Sequence, residues 1–292
     1  MSKIKYEHYY VPEHSRWPII TAFALFLLAI GAGGTIHGNG WGAPVLVLGF
    51  VTLCYLLFGW FGDQIKENMQ GLFSQQLHSS YHHGMRWFIF SEVMFFAAFF
   101  GALFYTRTLV MPWLGGEGNQ AMTHALLWPD FIPQWPLLVN PENAKFIGAT
   151  EPMGWWGLAL INTILLVSSS FTLTQSHHGI LEQNRSKAKL WIWVTLGLGT
   201  LFISLQAYEY YEAYHEMGLT LSAGIYGSTF FLLTGFHGMH VTLGVIMLTV
   251  MALRIQKGHF SPGNHFAFEA SAWYWHFVDV VWIGLFLFVY IL

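Results

Sequence analysis

Five ionisable side chains lie inside long apolar stretches of this sequence, where a charged group is costly unless it has a partner or a purpose. They are Glu92, His237, His240, His276 and Asp279. Imidazole and carboxylate groups can ligate zinc, iron or copper, and they can also carry protons. These positions are therefore the first candidates for chemistry.

The histidines and the aspartate form two spaced pairs. His237 and His240 are three residues apart, as are His276 and Asp279, and both pairs fall near the middle of consecutive apolar stretches. On a helix this spacing puts both members near one face. A metal site and a hydrogen-bonded polar cluster between helices both fit the pattern. We favour the intramembrane polar cluster and expect no metal ion in this chain.

Glu92 has an apolar environment on its own helix. Its neighbours at i−4, i+3 and i+4 are Phe88, Phe95 and Phe96. One interpretation is a neutral acid that is hydrogen-bonded to a neighbouring helix or to a lipid headgroup. The other is a proton-related carboxylate that takes part in proton handling. We predict no catalytic residue in the chain.

The composition decides which solvent surrounds these side chains. Of 292 residues, 54% are hydrophobic, 18% aromatic and only 9% charged, and the mean hydropathy is +0.46. Soluble domains carry roughly 25% charged residues, so an ordinary soluble enzyme is excluded. A net charge of −3 leaves no basic surface for nucleic acid. The single cysteine, Cys54, excludes a disulfide framework within the chain.

Seven apolar windows are long enough to cross a bilayer as helices. They are residues 17–36, 41–62, 87–105, 153–175, 190–208, 225–253 and 270–292. The predicted fold class is an all-α polytopic membrane protein with seven transmembrane helices.

The cations predict the orientation of these spans. Ten of the twelve Lys and Arg residues fall on the side of the N-terminus, which the positive-inside rule makes cytoplasmic. The predicted organisation has four parts. They are a cytoplasmic N-tail (1–16), a two-helix bundle (17–62), a cytoplasmic loop (63–86), and a five-helix bundle (87–292) with an outer loop (107–152).

Aromatic and charged residues flank the second and sixth spans on the cytoplasmic side. They are Trp60, Lys66, Glu67, Arg254, Lys257 and His259. An interfacial aromatic ring beside cations suits a phospholipid phosphate. The positive-inside bias alone would also place cations here, so both interpretations stay open.

Several long motifs strongly resemble subunit III of cytochrome c oxidase. Residues 265–282 read HFAFEASAWYWHFVDVVW, and residues 91–100, 206–211 and 226–244 agree with the same family. The likeness extends from the second span to the last.

The resemblance implies a non-redox subunit whose two-helix and five-helix bundles form a V, with structural phospholipids in the cleft. It implies subunit I as the main contact and subunit II in the same complex. Haem and copper would be in the partner subunits, and cytochrome c would be the electron donor to the complex. In the family this subunit supports proton uptake, stabilises subunit I against turnover inactivation, and is proposed to offer a lipid path for oxygen.

The resemblance also assigns individual positions. Glu92 corresponds to the family's carbodiimide-reactive carboxylate, and Trp60, Lys66, Glu67 and His259 correspond to headgroup contacts. His82 stands where the family commonly has an Arg, which alters that lipid contact.

Two features favour a bacterial plasma membrane over the mitochondrial inner membrane. The third loop is longer than in the mitochondrial form, and the polar N-tail shows little of a mitochondrial targeting signal.

Two alternatives to the cytochrome c oxidase subunit remain at this point. The equivalent subunit of a quinol oxidase typically lacks the first two helices, which are present here at residues 17–62. A stand-alone proton-coupled transporter could use Glu92, Asp279 and the histidines as a proton relay.

Overall fold

The computed structural model describes residue 10 and residues 14–292. This part of the chain forms nine α-helices, seven of them in segments long and apolar enough to cross a membrane. They are α1 (Trp17–Ile36), α2 (Gly42–Met69), α3 (Gln75–Tyr105), α4 (Met111–Leu114), α5 (Ala121–Leu127), α6 (Leu158–Leu181), α7 (Arg185–His215), α8 (Ile225–Lys257) and α9 (Phe266–Leu285).

The prediction of an all-α membrane protein with seven spans is confirmed, but several bounds differ. The predicted cytoplasmic loop 63–86 is largely helical, because α2 continues to Met69 and α3 begins at Gln75. A hydropathy window detects only the apolar part of a helix, and polar residues extend the same helix into the interface. Most of the predicted N-tail 1–16 lies outside the described residues.

The predicted outer loop 107–152 also contains helical structure. A π-helical segment, Thr106–Val110, continues α3 into α4, and α5 follows. Another π-helical segment, Phe286–Ile291, continues α9.

The chain divides into two compact units, Met1–His83 and Gly84–Leu292. In the first unit, α1 and α2 pack closely because glycines face the partner backbone. A Cβ at Gly31 would clash with the backbone of Leu46, and one at Gly49 would lie 2.8 Å from the nitrogen of Leu28. Small residues of this kind let membrane helices approach each other.

The second unit has a core built around a buried tryptophan of α9. Trp275 is fully buried and donates from Nε1 to Ser169 Oγ on α6 at 2.9 Å. A Cβ at Gly199 on α7 or at Gly244 on α8 would lie 2.6 or 2.7 Å from the indole ring. One side chain thus fixes the spacing of four helices, and these helices carry four of the five candidates for chemistry.

Candidate functional site

Glu92 on α3 pairs with His240 on α8. The Glu92 Oε2 atom lies 2.8 Å from His240 Nε2, and the hydrogen bond to a neighbouring helix that the sequence suggested is present. The rings of Phe95 and Phe96 lie 5.9 and 5.0 Å from the imidazole, so the surroundings of the pair are aromatic.

A second contact of His240 determines where its protons are. Nδ1 lies 2.6 Å from the carbonyl oxygen of Phe236, and a carbonyl only accepts, so Nδ1 carries a hydrogen and donates it. Nε2 of the neutral ring is then an acceptor, and it would repel a carboxylate at 2.8 Å. The contact therefore contains one proton, either as a carboxylic acid that donates to imidazole or as an imidazolium that donates to carboxylate.

His237 points to different neighbours, although it is only three residues from His240. It is fully buried, its Nε2 lies 3.2 Å from the carbonyl oxygen of Val278, and its ring lies between Phe202 and Trp282 at 5.7 and 5.0 Å. Three residues turn a helix by about 300°, so the two imidazoles diverge by about 60°. The contacts of His237 are those of a core side chain.

His276 and Asp279 form a separate group with Ser170 of α6. The His276 Nδ1 atom lies 2.6 Å from Ser170 Oγ and 3.7 Å from Asp279 Oδ2. Both partners approach the same ring nitrogen, whereas a nucleophilic triad needs the serine on one nitrogen and the carboxylate on the other. This group is polar but is not arranged to activate Ser170.

The four side chains predicted as one polar cluster are therefore divided among three sets of contacts. His240 joins Glu92, His237 joins the core, and His276 joins Asp279. Within the described residues, no three His, Cys, Asp or Glu side chains form a group that could hold a metal ion.

One buried acid is not among the candidate residues. Glu209 lies near the C-terminal end of α7 and is 1% exposed, whereas Glu216, two turns later, is exposed. The signal was present in the spacing. Gly199, Phe202, Gln206, Glu209 and Ala213 follow one another at steps of three and four residues, and all five are buried.

Four candidate headgroup residues belong to the first unit. Lys66 forms an ion pair with Asp63 at 3.3 Å, and both groups are exposed. Glu67 accepts from Gln64 at 3.0 Å, while Trp60 is exposed and stacks on Phe61. The remaining one, His82, lies with its Nδ1 atom 2.8 Å from the carbonyl oxygen of His78.

The other three candidates lie at the end of α8 in the second unit. Lys257 is exposed, but Arg254 is only 6% exposed and its guanidinium lies 4.5 Å from the centre of the Phe260 ring. Arg254 flanks the sixth span in the sequence, and its burial comes from Phe260 in the loop that follows α8. Burial lowers the pKa of His259, and the nearby cations Arg254 and Lys257 lower it further.

The comparisons with known proteins agree with the resemblance. The family model described as "Cytochrome c oxidase subunit III" matches residues 7–125 and 144–292. Three curated relatives are each named "Cytochrome c oxidase subunit 3". The chain is 36% identical to the one from Prototheca wickerhamii, 37% to that from Gazella subgutturosa and 38% to that from Syncerus caffer. Each match covers 97% of this chain and 96% of the relative. The chain belongs to the cytochrome c oxidase subunit III family.

Proposed function

We propose that the chain is the non-redox structural and regulatory subunit III of a proton-pumping cytochrome c oxidase in an aerobic respiratory chain. Membership of the family makes it part of an oxidoreductase complex and a multi-pass membrane protein. Subunit I is its main contact and subunit II completes the complex. Haem, copper and the reaction with cytochrome c belong to those partners, and this chain has no catalytic centre of its own.

The observation that carries the proposal is the 2.8 Å contact between Glu92 Oε2 and His240 Nε2, from which we infer a shared proton. A proton shared by the two side chains keeps the pair without net charge in aromatic surroundings, where a buried charge would be costly. Glu92 is the proton-related carboxylate of the subunit, and it supports proton uptake by subunit I without exchanging electrons.

Phospholipid headgroups are the second part of the proposal. Trp60, Lys66, Glu67 and His82 supply the contacts in the first unit, and Lys257 and His259 supply them in the second. Arg254 assists Lys257 and His259 without contacting the lipid, because its buried cation raises the positive potential around them. The bound lipids would also form the route by which oxygen reaches subunit I.

Removal of the chain tests this function. The oxidase without it is expected to take up protons more slowly at high pH and to inactivate after fewer turnovers. The measurements are pH-dependent proton uptake and the number of turnovers before inactivation, on matched preparations with and without the subunit. Equal turnover numbers would contradict the proposal.

Two other assignments lead to different outcomes. A quinol oxidase subunit would co-purify with an enzyme that oxidises quinol but not cytochrome c. The presence of α1 and α2 argues against this assignment. A stand-alone proton-coupled transporter would purify alone and move substrate in liposomes. We place the complex in a bacterial plasma membrane on the length of the outer loop, and fractionation of the source cells tests that placement.

A further inference from the structure

Another group of buried polar side chains takes no part in the proposed function. Glu209 on α7 is 1% exposed, and Gln206, one turn earlier, and Tyr290, near the end of the chain, are each 5% exposed. The Gln206 amide and the Tyr290 hydroxyl lie close enough to Glu209 to influence its carboxylate, although neither is positioned to form a hydrogen bond with it. These three residues are called the Glu209 cluster below.

The Glu209 cluster contains hydrogen-bond donors and acceptors that have no partner in the protein. Both carboxylate oxygens of Glu209, both amide atoms of Gln206 and the hydroxyl of Tyr290 are buried and have no hydrogen-bond partner among the described residues. A buried hydrogen-bonding group that stays unsatisfied destabilises the folded state. Five unsatisfied atoms on three adjacent side chains therefore indicate a small ligand that both donates and accepts.

The charges around the cluster limit what this ligand can be. The titratable groups that act on Glu209, or on which it acts, come from α7, α8 and the final helical segment. They are Glu212, Tyr210, Tyr226 and Tyr290. None of them is a cation in the described structure, and the buried ring of Phe230 lies 5.6 Å from the ring of Tyr290. A carboxylate here would be uncompensated, so the neutral acid is the cheaper form.

We propose that the Glu209 cluster binds about one or two internal water molecules and that Glu209 is a neutral acid in this site. Water donates and accepts, so one molecule can join the Glu209 carboxyl to the Tyr290 hydroxyl and another can reach the Gln206 amide. A metal cation is a poorer match, since the cluster offers only one carboxylate, whereas Ca²⁺ takes about six to eight oxygen ligands.

A high-resolution cryo-EM map of the assembled wild-type oxidase tests the water site directly. We expect density for an ordered water within hydrogen-bonding distance of at least two of the three side chains. A map in which Glu209, Gln206 and Tyr290 bond only to one another, with no water between them, would overturn the proposal.

Infrared difference spectroscopy of the same complex tests the proton on Glu209. Subtracting the Glu209→Gln spectrum from that of the wild type should leave a carboxylic acid C=O band that shifts in D₂O. Tyr290→Phe, which removes one hydroxyl, should move that band to higher frequency because the acid loses a hydrogen-bonding route. The exposed residues give the controls, Glu216→Gln and Tyr211→Phe, which should leave the band unchanged. A carboxylate band in place of the acid band would refute the neutral form.

Discussion

At the residue scale, the pair of Glu92 and His240 shows how a single backbone contact decides a protonation state. The carbonyl of Phe236 fixes the hydrogen on His240 Nδ1, and this leaves Nε2 facing Glu92 at 2.8 Å with one proton between them. The pair is net neutral in either arrangement. Neutrality explains how an acid and an imidazole coexist between apolar helices without a further counter-ion.

Two substitutions of Glu92 distinguish the effect of its hydrogen bond from the effect of its acidic proton. In Glu92→Gln the amide can donate to His240 Nε2, so we expect assembly and oxygen reduction to remain largely intact. In Glu92→Leu the imidazole loses that partner, and the complex should lose about 1–3 kcal/mol of stability. Thermal denaturation and steady-state oxygen consumption measure the two effects. Loss of haem from the Glu92→Gln complex would contradict this expectation.

His259 permits a prediction about pH, because its pKa is lowered first by burial and then by Arg254 and Lys257. Removing one cation, in Lys257→Gln, should raise the pKa of His259 toward its ordinary value. Since the folded pKa is the lower one, the contribution of His259 to stability is present above its ordinary pKa. That contribution declines as the pH falls through the ordinary value toward the folded one, because the unfolded chain binds the proton first.

Nitrogen NMR of labelled histidine, followed across a pH titration, measures the pKa of His259 in both variants. Lys189→Gln, at the start of another helix, is the control and should leave the titration of His259 unchanged. If Lys257→Gln also leaves it unchanged, Lys257 has no electrostatic influence on this histidine.

The sequence predicts the aromatic neighbours of Glu92 but not its hydrogen-bond partner. Phe95 and Phe96 are fixed by helical spacing, whereas His240 is 148 residues away and is brought near by tertiary packing. The burial of Arg254 is not predictable from the sequence for the same reason, because Phe260, which packs against it, belongs to the loop that returns toward α9. Local periodicity predicts which face of a helix a residue occupies. Only tertiary packing determines which residues of other elements contact that face.

At the element scale, the helix ends depart most from the predicted windows, and polar contacts explain the departures. α3 begins at Gln75 because Ser74 Oγ accepts from the backbone nitrogen of Leu77 at 3.3 Å. α7 begins at Arg185 because Asn184 accepts from the nitrogen of Lys187 at 3.0 Å. Such caps are formed by short polar side chains, which a hydropathy window excludes.

The tight packing around Trp275 predicts a difference between two neighbouring glycines of α7. Gly199→Ala should destabilise the second unit by about 1–3 kcal/mol, because the new methyl group would lie 2.6 Å from the indole of Trp275. Gly197→Ala is the matched control, since nothing lies within 4 Å of its Cβ position. That variant should be as stable as the wild type or slightly more stable. Thermal unfolding in detergent compares them, and equal losses would show that Trp275 does not set this spacing.

At the scale of the whole molecule, the number of spans and the sidedness of the chain are linked. Each membrane crossing reverses the side, so one crossing by α6 must separate the outer loop from the turn between α6 and α7. The low fraction of charged residues indicates a membrane protein, and the seven long apolar helices explain why that fraction is low. The distribution of Lys and Arg then predicts the orientation, with the α6–α7 turn on the side of the N-terminus.

Two glutamates offer a matched test of that orientation. Glu142 in the outer loop and Glu182 after α6 each pair with a nearby lysine and are each 54% exposed at the side chain. In a Cys54→Ser background, a membrane-impermeant maleimide should label Glu182→Cys only from the cytoplasmic side and Glu142→Cys only from the opposite side. The reverse pattern would mean that the positive-inside rule fails for this chain. Labelling of both from one side would mean that α6 does not cross the membrane, which would refute the seven-span topology itself.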